Sequence, residues 1–243
     1  MIGIILAAGI GKRLMPLTKD ISKTLIKVGD REILEYIIRG FISVGIKKVR
    51  VVVGHGKEKL IKELKRLSER YGFDFDTVEN EIYRDTNTGY SLLKALNLDG
   101  LEDIVIVNGD VVFDFRILRN LVEEDRTSIV VDNVKKLTKE SFKVKIRDGL
   151  ILSMGKEVPI EESSGEFIGI SLVKKEDYMI FRKILEDIVS RNVNEYYDVA
   201  FKELCKVKPL NIVYTNGLRW TEIDFPEDLE YAKKLVKSIM LEV

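Results

Sequence analysis

From Leu6 to Leu14 the sequence reads LAAGIGKRL, with glycines at Gly9 and Gly11 and then two cations, Lys12 and Arg13. A short apolar run, Ile2 to Leu6, comes just before it and reads as a buried strand. Glycines in such a loop let several backbone N–H groups surround one small volume, and two cations beside it suit a polyphosphate. The same glycines would also serve a plain strand-to-helix turn by permitting positive φ. Spacing separates the phosphate-binding alternatives. A Walker loop needs Ser or Thr after its lysine, whereas Lys12 is followed by Arg13. A dinucleotide fold prefers glycine where Leu14 stands, and an acid at the end of the run Val49 to Val53, which instead meets Gly54 and His55. A third pattern fits better: glycines, a basic pair, then a second lysine, Lys23, in Ser22-Lys23-Thr24-Leu25. A dinucleotide-binding oxidoreductase stays as a distant alternative and a non-catalytic nucleotide sensor as another.

Positioning these residues calls for a frame, and the hydrophobic pattern supplies one. Ile33, Leu34, Ile37, Ile38, Phe41 and Ile42 recur at helical spacing, as do Leu60, Ile61, Leu64 and Leu67. Val49 to Val53, Phe73 to Val78, Ile104 to Val107 and Ser128 to Val131 read as strands. Short helices are expected over Ser91 to Leu96 and around Phe115, Leu118, Leu121 and Val122. Strands that are apolar on both faces and alternate with helices predict a parallel sheet covered on both sides. Ligands of such sheets sit at the carboxyl ends of the strands. The expected class is therefore α/β, a Rossmann-like, doubly wound, mostly parallel sheet over residues 1–133. Beyond Asn133 the pattern changes. Phe142 to Ile146, the Asp148-Gly149 turn and Leu150 to Met154 form a hairpin. Glu166 to Val173 is a strand, and helices follow near Tyr178 to Val189 and Tyr196 to Leu204. A strand at Asn211 to Tyr214, an Asn216-Gly217 turn, a short strand ending at Asp224 and a helix opened by Pro226 complete residues 134–243. This second part is expected to be a small α+β lobe packed on the first as a single domain.

Composition narrows the function. Lysines and arginines number 40 against 40 acids, so net charge is zero and nothing favours a nucleic acid partner. The charged fraction of 33% and the absence of glutamine suggest a thermophilic source. A single cysteine, Cys205, excludes an intramolecular disulfide and a cysteine-based metal site. No apolar segment reaches the ~18 residues of a membrane span, so no membrane insertion and a cytoplasmic location are expected. The single histidine, His55 in Gly54-His55-Gly56, reads as a loop residue, and no Gly-x-Ser-x-Gly nucleophile motif is present.

The run from Leu6 through Val28, LAAGIGKRLMPLTKDISKTLIKV, resembles the signature of the nucleotidylyltransferase family that includes sugar-1-phosphate nucleotidylyltransferases and phosphocholine cytidylyltransferases. The family's usual proline before the lysine is Ser22 here. The resemblance implies that Leu6, Ala7, Ala8, Gly9, Gly11 and Lys12 belong to a loop around the triphosphate of an NTP. It makes Arg13 and Lys23 the catalytic cations. In such a transfer one phosphate attacks the α-phosphorus of the NTP and pyrophosphate leaves. The nucleophile is already ionised, so positioning and charge neutralisation dominate and no general base is required. A divalent cation, Mg²⁺, would complete the neutralisation through one or two carboxylates. The resemblance assigns it to Asp110, after the buried run IVIVNGD, and to Asp224 in WTEIDFPEDL. As a bland alternative, Asp224 would simply favour the amino end of the helix beginning near Pro226.

Related enzymes use the region of NTGYS to contact the base, which makes Asn87, Thr88, Gly89 and Ser91 candidates; capping by Thr88 is the structural alternative. The second half, with FKVKI, Asp148-Gly149, GEFIGI and YYDVAF, resembles the cytidylyltransferase branch. It offers Lys143 and Lys156 for an acceptor phosphate, and Glu166, Tyr197, Asp198 and Trp220 for the rest of the acceptor. That set would hold a cationic amino-alcohol head, or equally sugar hydroxyls. The expected reaction is transfer of NMP, with CTP favoured as donor, to a small phosphate monoester such as an alcohol phosphate. A sugar-1-phosphate with UTP or dTTP is second.

Overall fold

The computed structural model describes residues 1–98 and 102–239. In chain order its strands and helices are β1 (Ile2–Leu6), β2 (Lys27–Val28), β3 (Arg31–Glu32), α1 (Ile33–Ser43), β4 (Lys48–Val53), α2 (Lys57–Tyr71), β5 (Asp74–Glu79), α3 (Thr88–Ala95), β6 (Ile104–Asn108), β7 (Val111–Phe113) and α4 (Phe115–Val122). There follow β8 (Ser128–Asp132), β9 (Lys143–Arg147), β10 (Leu150–Gly155), β11 (Gly165–Val173), α5 (Tyr178–Arg191), α6 (Asp198–Leu204), β12 (Asn211–Tyr214), β13 (Trp220–Glu222) and α7 (Pro226–Ile239).

One large sheet runs in the order β5-β4-β1-β6-β11-β8-β12, with the β9–β10 hairpin attached to the start of β11. The strands β5, β4, β1 and β6 are parallel, β11 is antiparallel to both β6 and β8, and β12 is parallel to β8. The sheet is therefore continuous across residue 133, because β11 from the second half lies between β6 and β8 from the first. Its period-2 alternation divides the apolar residues between two cores. Ile5, Val51, Val105 and Val107 pack with α1, α2, α4 and α7, while Ile4, Leu6, Ile104 and Ile106 pack with α3, α5 and α6. Burial on both faces is why these strands are apolar throughout.

The helices follow their sequence signals. Leu60, Leu64 and Leu67 form the buried stripe of α2, which Gly72 ends at φ 67°. Asp114 caps α4 by accepting from Arg116 N at 3.0 Å. Among the boundaries that differ from expectation, two bear on Asn87 and Asp224. Helix α3 starts at Thr88 instead of Ser91, because the Asn87 side chain accepts from Thr88 N at 2.9 Å and opens the helix one turn earlier. Strand β13 ends at Glu222, two residues before Asp224. Its partner β7 is hidden in sequence, since Val111 to Phe113 simply prolongs the apolar run of β6 past one tight turn.

Candidate active site

The chain leaves β1 to build β4 and β5 on one side, then crosses to β6 on the other. The carboxyl ends of β1 and β6 are consequently a topological switch point, the place where an open α/β sheet forms a crevice. Leu6 lies opposite Asn108 in register. One residue on, Gly109 N donates to the Leu6 carbonyl at 3.0 Å. A Cβ at Gly109 would stand 2.5 Å from that same oxygen, so only glycine permits this approach. The close contact brings Asp110 beside the loop that leaves β1. That loop is fastened from below: Thr18 Oγ1 donates to the Gly11 carbonyl at 2.8 Å and Ser22 Oγ to the Ala7 carbonyl at 2.9 Å. Ser22, standing where the family signature has proline, thus ties the lysine-bearing turn to the glycine loop.

Asp224 reaches the same place along a two-stranded ribbon. Strands β13 and β7 pair antiparallel, Trp220 with Phe113 and Glu222 with Val111, and the ladder ends with Ile223 N donating to the Asp110 carbonyl at 3.0 Å. The two aspartates are thereby set side by side. Lys23 Nζ bridges them, 2.7 Å from Asp110 Oδ2 and 2.6 Å from Asp224 Oδ1, and Arg13 Nη1 lies 3.0 Å from Asp224 Oδ2. The Arg13 guanidinium also covers the Phe225 ring at 5.1 Å. Helix capping does not occupy Asp224. Asp228 fills that role, its Oδ2 accepting from the backbone N–H groups of Asp224 and Phe225 at 2.9 and 2.8 Å.

Burial pulls the Lys23 ammonium down, but the charges of Asp110 and Asp224 outweigh it and hold the group above the ordinary lysine value. For Asp224 burial pushes upward and Lys23 and Arg13 pull down, leaving its carboxyl below the usual range. Glu222 is driven well up by burial and by the neighbouring charges of Asp110 and Asp224. Burial raises Glu166 as well, and pushes Asp198 up to about 7.

Two cavities meet at this cluster. A smaller one, about 300 Å³, is lined by Leu6, Ala7, Gly9, Gly11, Lys12, Ser22, Lys23 and Thr24. A larger one, about 550 Å³, is lined by Asn87, Lys156, Glu166, Asp198 and Glu222 among others. Their common wall is Arg13, Thr88, Asn108, Asp110 and Asp224. Most residues singled out from sequence therefore converge on one cleft.

Six of them line neither cavity. Ala8 is packed in the core, its carbonyl accepting from His55 N at 3.0 Å. Gly89 is pressed against the Glu195 backbone, whose carbonyl takes the space a Cβ or an incoming ring would need. Ser91 is buried behind α3, where its Oγ accepts from Asn80 Nδ2 at 3.0 Å. Lys143 is buried and spends its ammonium on the carbonyls of Ser141 and Lys139, at 3.0 and 3.3 Å. Tyr197 sits in an aromatic core with Phe167 and Phe201. Trp220 is buried, with Lys135 Nζ 3.7 Å above its ring. His55 holds a loop, with Nε2 2.7 Å from the Thr18 carbonyl.

Asn108 and Glu222 are cleft residues that the sequence reading did not single out. The signal for Glu222 was present, since it stands two residues before Asp224 in a run that reads as a strand, where residues two apart share a face. Asn108 ends the strand that delivers Asp110.

The cleft fits a hard divalent cation. Asp110 and Asp224 offer carboxylate oxygens, and Asp110 Oδ1 is buried with no hydrogen-bond partner. A second acidic group, Glu32, Glu35 and Glu63, has ligand atoms within 4.8 Å of one another. It does not fit a metal, because Glu35 is already satisfied by Tyr71 Oη at 2.6 Å, Arg31 at 3.2 Å, Arg70 at 3.3 Å and Arg66 at 3.4 Å. Among the described residues no helix is long and apolar enough to cross a membrane.

A switch-point glycine loop, a lysine bridging two acids and a doubly wound sheet define a nucleotide-handling α/β protein. The chain belongs to the nucleotidyl transferase family, whose profile matches residues 2–142. A CTP:phosphoglutamine cytidylyltransferase of Campylobacter jejuni is 30% identical over 256 residues, covering 95% of this chain and 98% of its own. The Bifunctional IPC transferase and DIPP synthase of Aquifex aeolicus is 30% identical over 242 residues, 97% of this chain. The chain spans about half of that relative's length, 52%. The solved structure of CTP:phosphocholine cytidylyltransferase from Streptococcus pneumoniae superposes with a TM-score of 0.79 at 25% identity, covering 97% of this chain and 99% of that one.

Proposed function

We propose that the chain is a Mg²⁺-dependent nucleotidylyltransferase that moves NMP, CMP by preference, from an NTP to a small alcohol phosphate. The observation that carries this reading is the shared wall between the two cavities, where Lys23 bridges Asp110 and Asp224 and Arg13 closes the edge. The smaller cavity, with its glycine loop and Lys12, suits the triphosphate, while Asn87 and Thr88 stand beside it for the base. The larger cavity suits the acceptor. An acceptor phosphate oxygen attacks the α-phosphorus, and the bond from that phosphorus to the bridging oxygen of the β-phosphate breaks. Pyrophosphate carries away the electron pair.

Lys23 and Arg13 supply positive charge where the two anions meet, which is the principal barrier to the reaction. No side chain needs to remove a proton. Asp110 and Asp224 would hold Mg²⁺, which when bound adds neutralising charge at the phosphate oxygens. The preference for CTP is supported by the CTP-dependent activities of the Campylobacter jejuni and Streptococcus pneumoniae relatives. The test is to incubate the protein with each NTP, Mg²⁺ and a panel of phosphate monoesters, and to follow pyrophosphate. Release that needs both an NTP and an acceptor is expected, fastest with CTP. No release with any combination would overturn the reading.

A further inference from the structure

The larger cavity carries more negative charge than two phosphorylated substrates would tolerate. Eight acids line it against three cations. Away from the shared wall, where Arg13 lies 3.0 Å from Asp224, both lysines are paired, Lys156 with Glu140 at 3.2 Å and Lys202 with Glu157. Glu166, Asp198 and Glu222 have no ion pair among the described residues. Asp198 is the most telling of them. It is only 9% exposed, lines the cavity, and its Oδ1 has no hydrogen-bond partner. A buried carboxyl oxygen without a partner is costly, so its retention in the wall points to a ligand that completes it. Burial also shifts Asp198 up to about 7, outweighing its own backbone N–H and the charge of Lys156.

The form of that countercharge follows from what else lines the cavity. A quaternary ammonium is caged by several ring faces, and among the described residues Tyr196 is the one ring of the lining that has no ring or cation contact. Trp220 lies under Lys135, Tyr197 is in the core, Phe225 is covered by Arg13, and Phe142 and Phe167 meet edge to face at 6.1 Å. Carboxylate oxygens instead recognise cations that carry N–H bonds, through charge-assisted hydrogen bonds. A neutral polyol would leave the acids uncompensated.

Resting on the cytidylyl-transfer reading above, we propose that the acceptor is a phosphate monoester whose organic part bears an N–H cation, an aminoalkyl phosphate in its simplest form, held by Glu166 and Asp198. Its phosphate points to Lys23 and Arg13, and its ammonium lies toward the opposite end of the cavity. The acid excess then recognises the acceptor where it would otherwise repel it.

The test compares three acceptors with Mg²⁺ and whichever NTP supports pyrophosphate release: 2-aminoethyl phosphate, its N-trimethyl counterpart, and propyl phosphate, the uncharged isostere. The kcat/KM for 2-aminoethyl phosphate is expected to exceed each of the others at least about tenfold, the scale of one hydrogen bond to a charged group. Glu166→Gln and Asp198→Asn are each expected to draw the ratio of aminoethyl to propyl phosphate toward one. Because both acceptors share any loss of folded enzyme, that ratio reports recognition alone. Equal or faster transfer to the trimethyl or uncharged acceptor, or a ratio unmoved in both variants, would overturn the proposal while leaving the transferase reading intact. Absence of release with any acceptor and any NTP would overturn both.

Discussion

Replacing Lys23 with methionine removes one positive charge while keeping much of the side chain's length and volume. Lys23 is 14% exposed, and its ammonium is within 2.7 Å of two carboxylates that are themselves 27% and 39% exposed. Breaking a fully buried pair costs ~3–5 kcal/mol, but exposure of the acids lets water screen them, which lowers the expectation to ~2 kcal/mol. For a chain of this size that corresponds to a fall of about 4–8 °C in Tm. Turnover should fall by ~10²–10³-fold or more, the cost of losing a preorganised charge at a developing anion. The variant should also respond differently to metal. With the ammonium gone, Asp110 and Asp224 face each other uncompensated, so Mg²⁺ alone should raise the variant's Tm more than that of the parent protein. Thermal unfolding with and without Mg²⁺, alongside pyrophosphate release, measures all three quantities. A Tm unchanged by the substitution, equal metal responses, or turnover within tenfold of the parent would show that Lys23 does not bridge the acids in solution.

Other substitutions probe other parts of the structure. Asp198 has its carboxyl raised by burial from the ordinary 3.8 to about 7, so the folded state keeps this proton to higher pH than the unfolded chain does. Its contribution to stability is therefore fully present below the unfolded value and is lost as pH rises toward 7. Asp198→Asn should remove this dependence and be the more stable protein at pH 8, by at most about 4 kcal/mol, and denaturant melts from pH 4 to 8 check it. A flat difference across that range would refute the assignment. Gly109→Ala would set a Cβ against the Leu6 carbonyl and force the ends of β1 and β6 apart. A loss of about 2–4 kcal/mol is expected, together with at least about hundredfold slower turnover even well below the melting temperature. Glu35→Gln disrupts the Arg31, Arg66 and Arg70 contacts to a buried carboxylate and should cost about 2 kcal/mol. Its kcat/KM should match the parent, and added Mg²⁺ or Ca²⁺ should not restore its Tm.

The parallel half of the fold was legible because each strand there is buried on both faces and each helix carries a clear apolar stripe. Gly9, Gly11, Arg13 and Asp110 were legible because local loops follow strand ends, whereas Lys23, on a short turn well past β1, was picked out by the resemblance of its segment to the family signature. What escaped the sequence depends on contacts between distant segments. Val111 to Phe113 has no pattern separating it from β6, and only its pairing with Trp220 to Glu222 makes it a strand. The choice between core and cavity for Lys143, Tyr197 and Trp220 is set by neighbours that lie far away in sequence. An aromatic or lysine residue looks the same in either place until the opposing wall is known. Asn87 shows the local counterpart, because its capping side chain moved the start of α3 and carried Gly89 into the packed turn.

The ribbon of β7 and β13 has a further consequence for the order in which the protein is made. A ribosome-bound chain that has emerged only as far as β12 contains the glycine loop, Lys23 and Asp110, but lacks the second acid and the strand that would align it. Such a nascent chain can acquire much of its sheet without acquiring the paired acids. Translation must proceed through Asp224 before the two carboxylates stand together, so the pairing of Asp110 with Asp224 follows the sheet strands that carry Asp110.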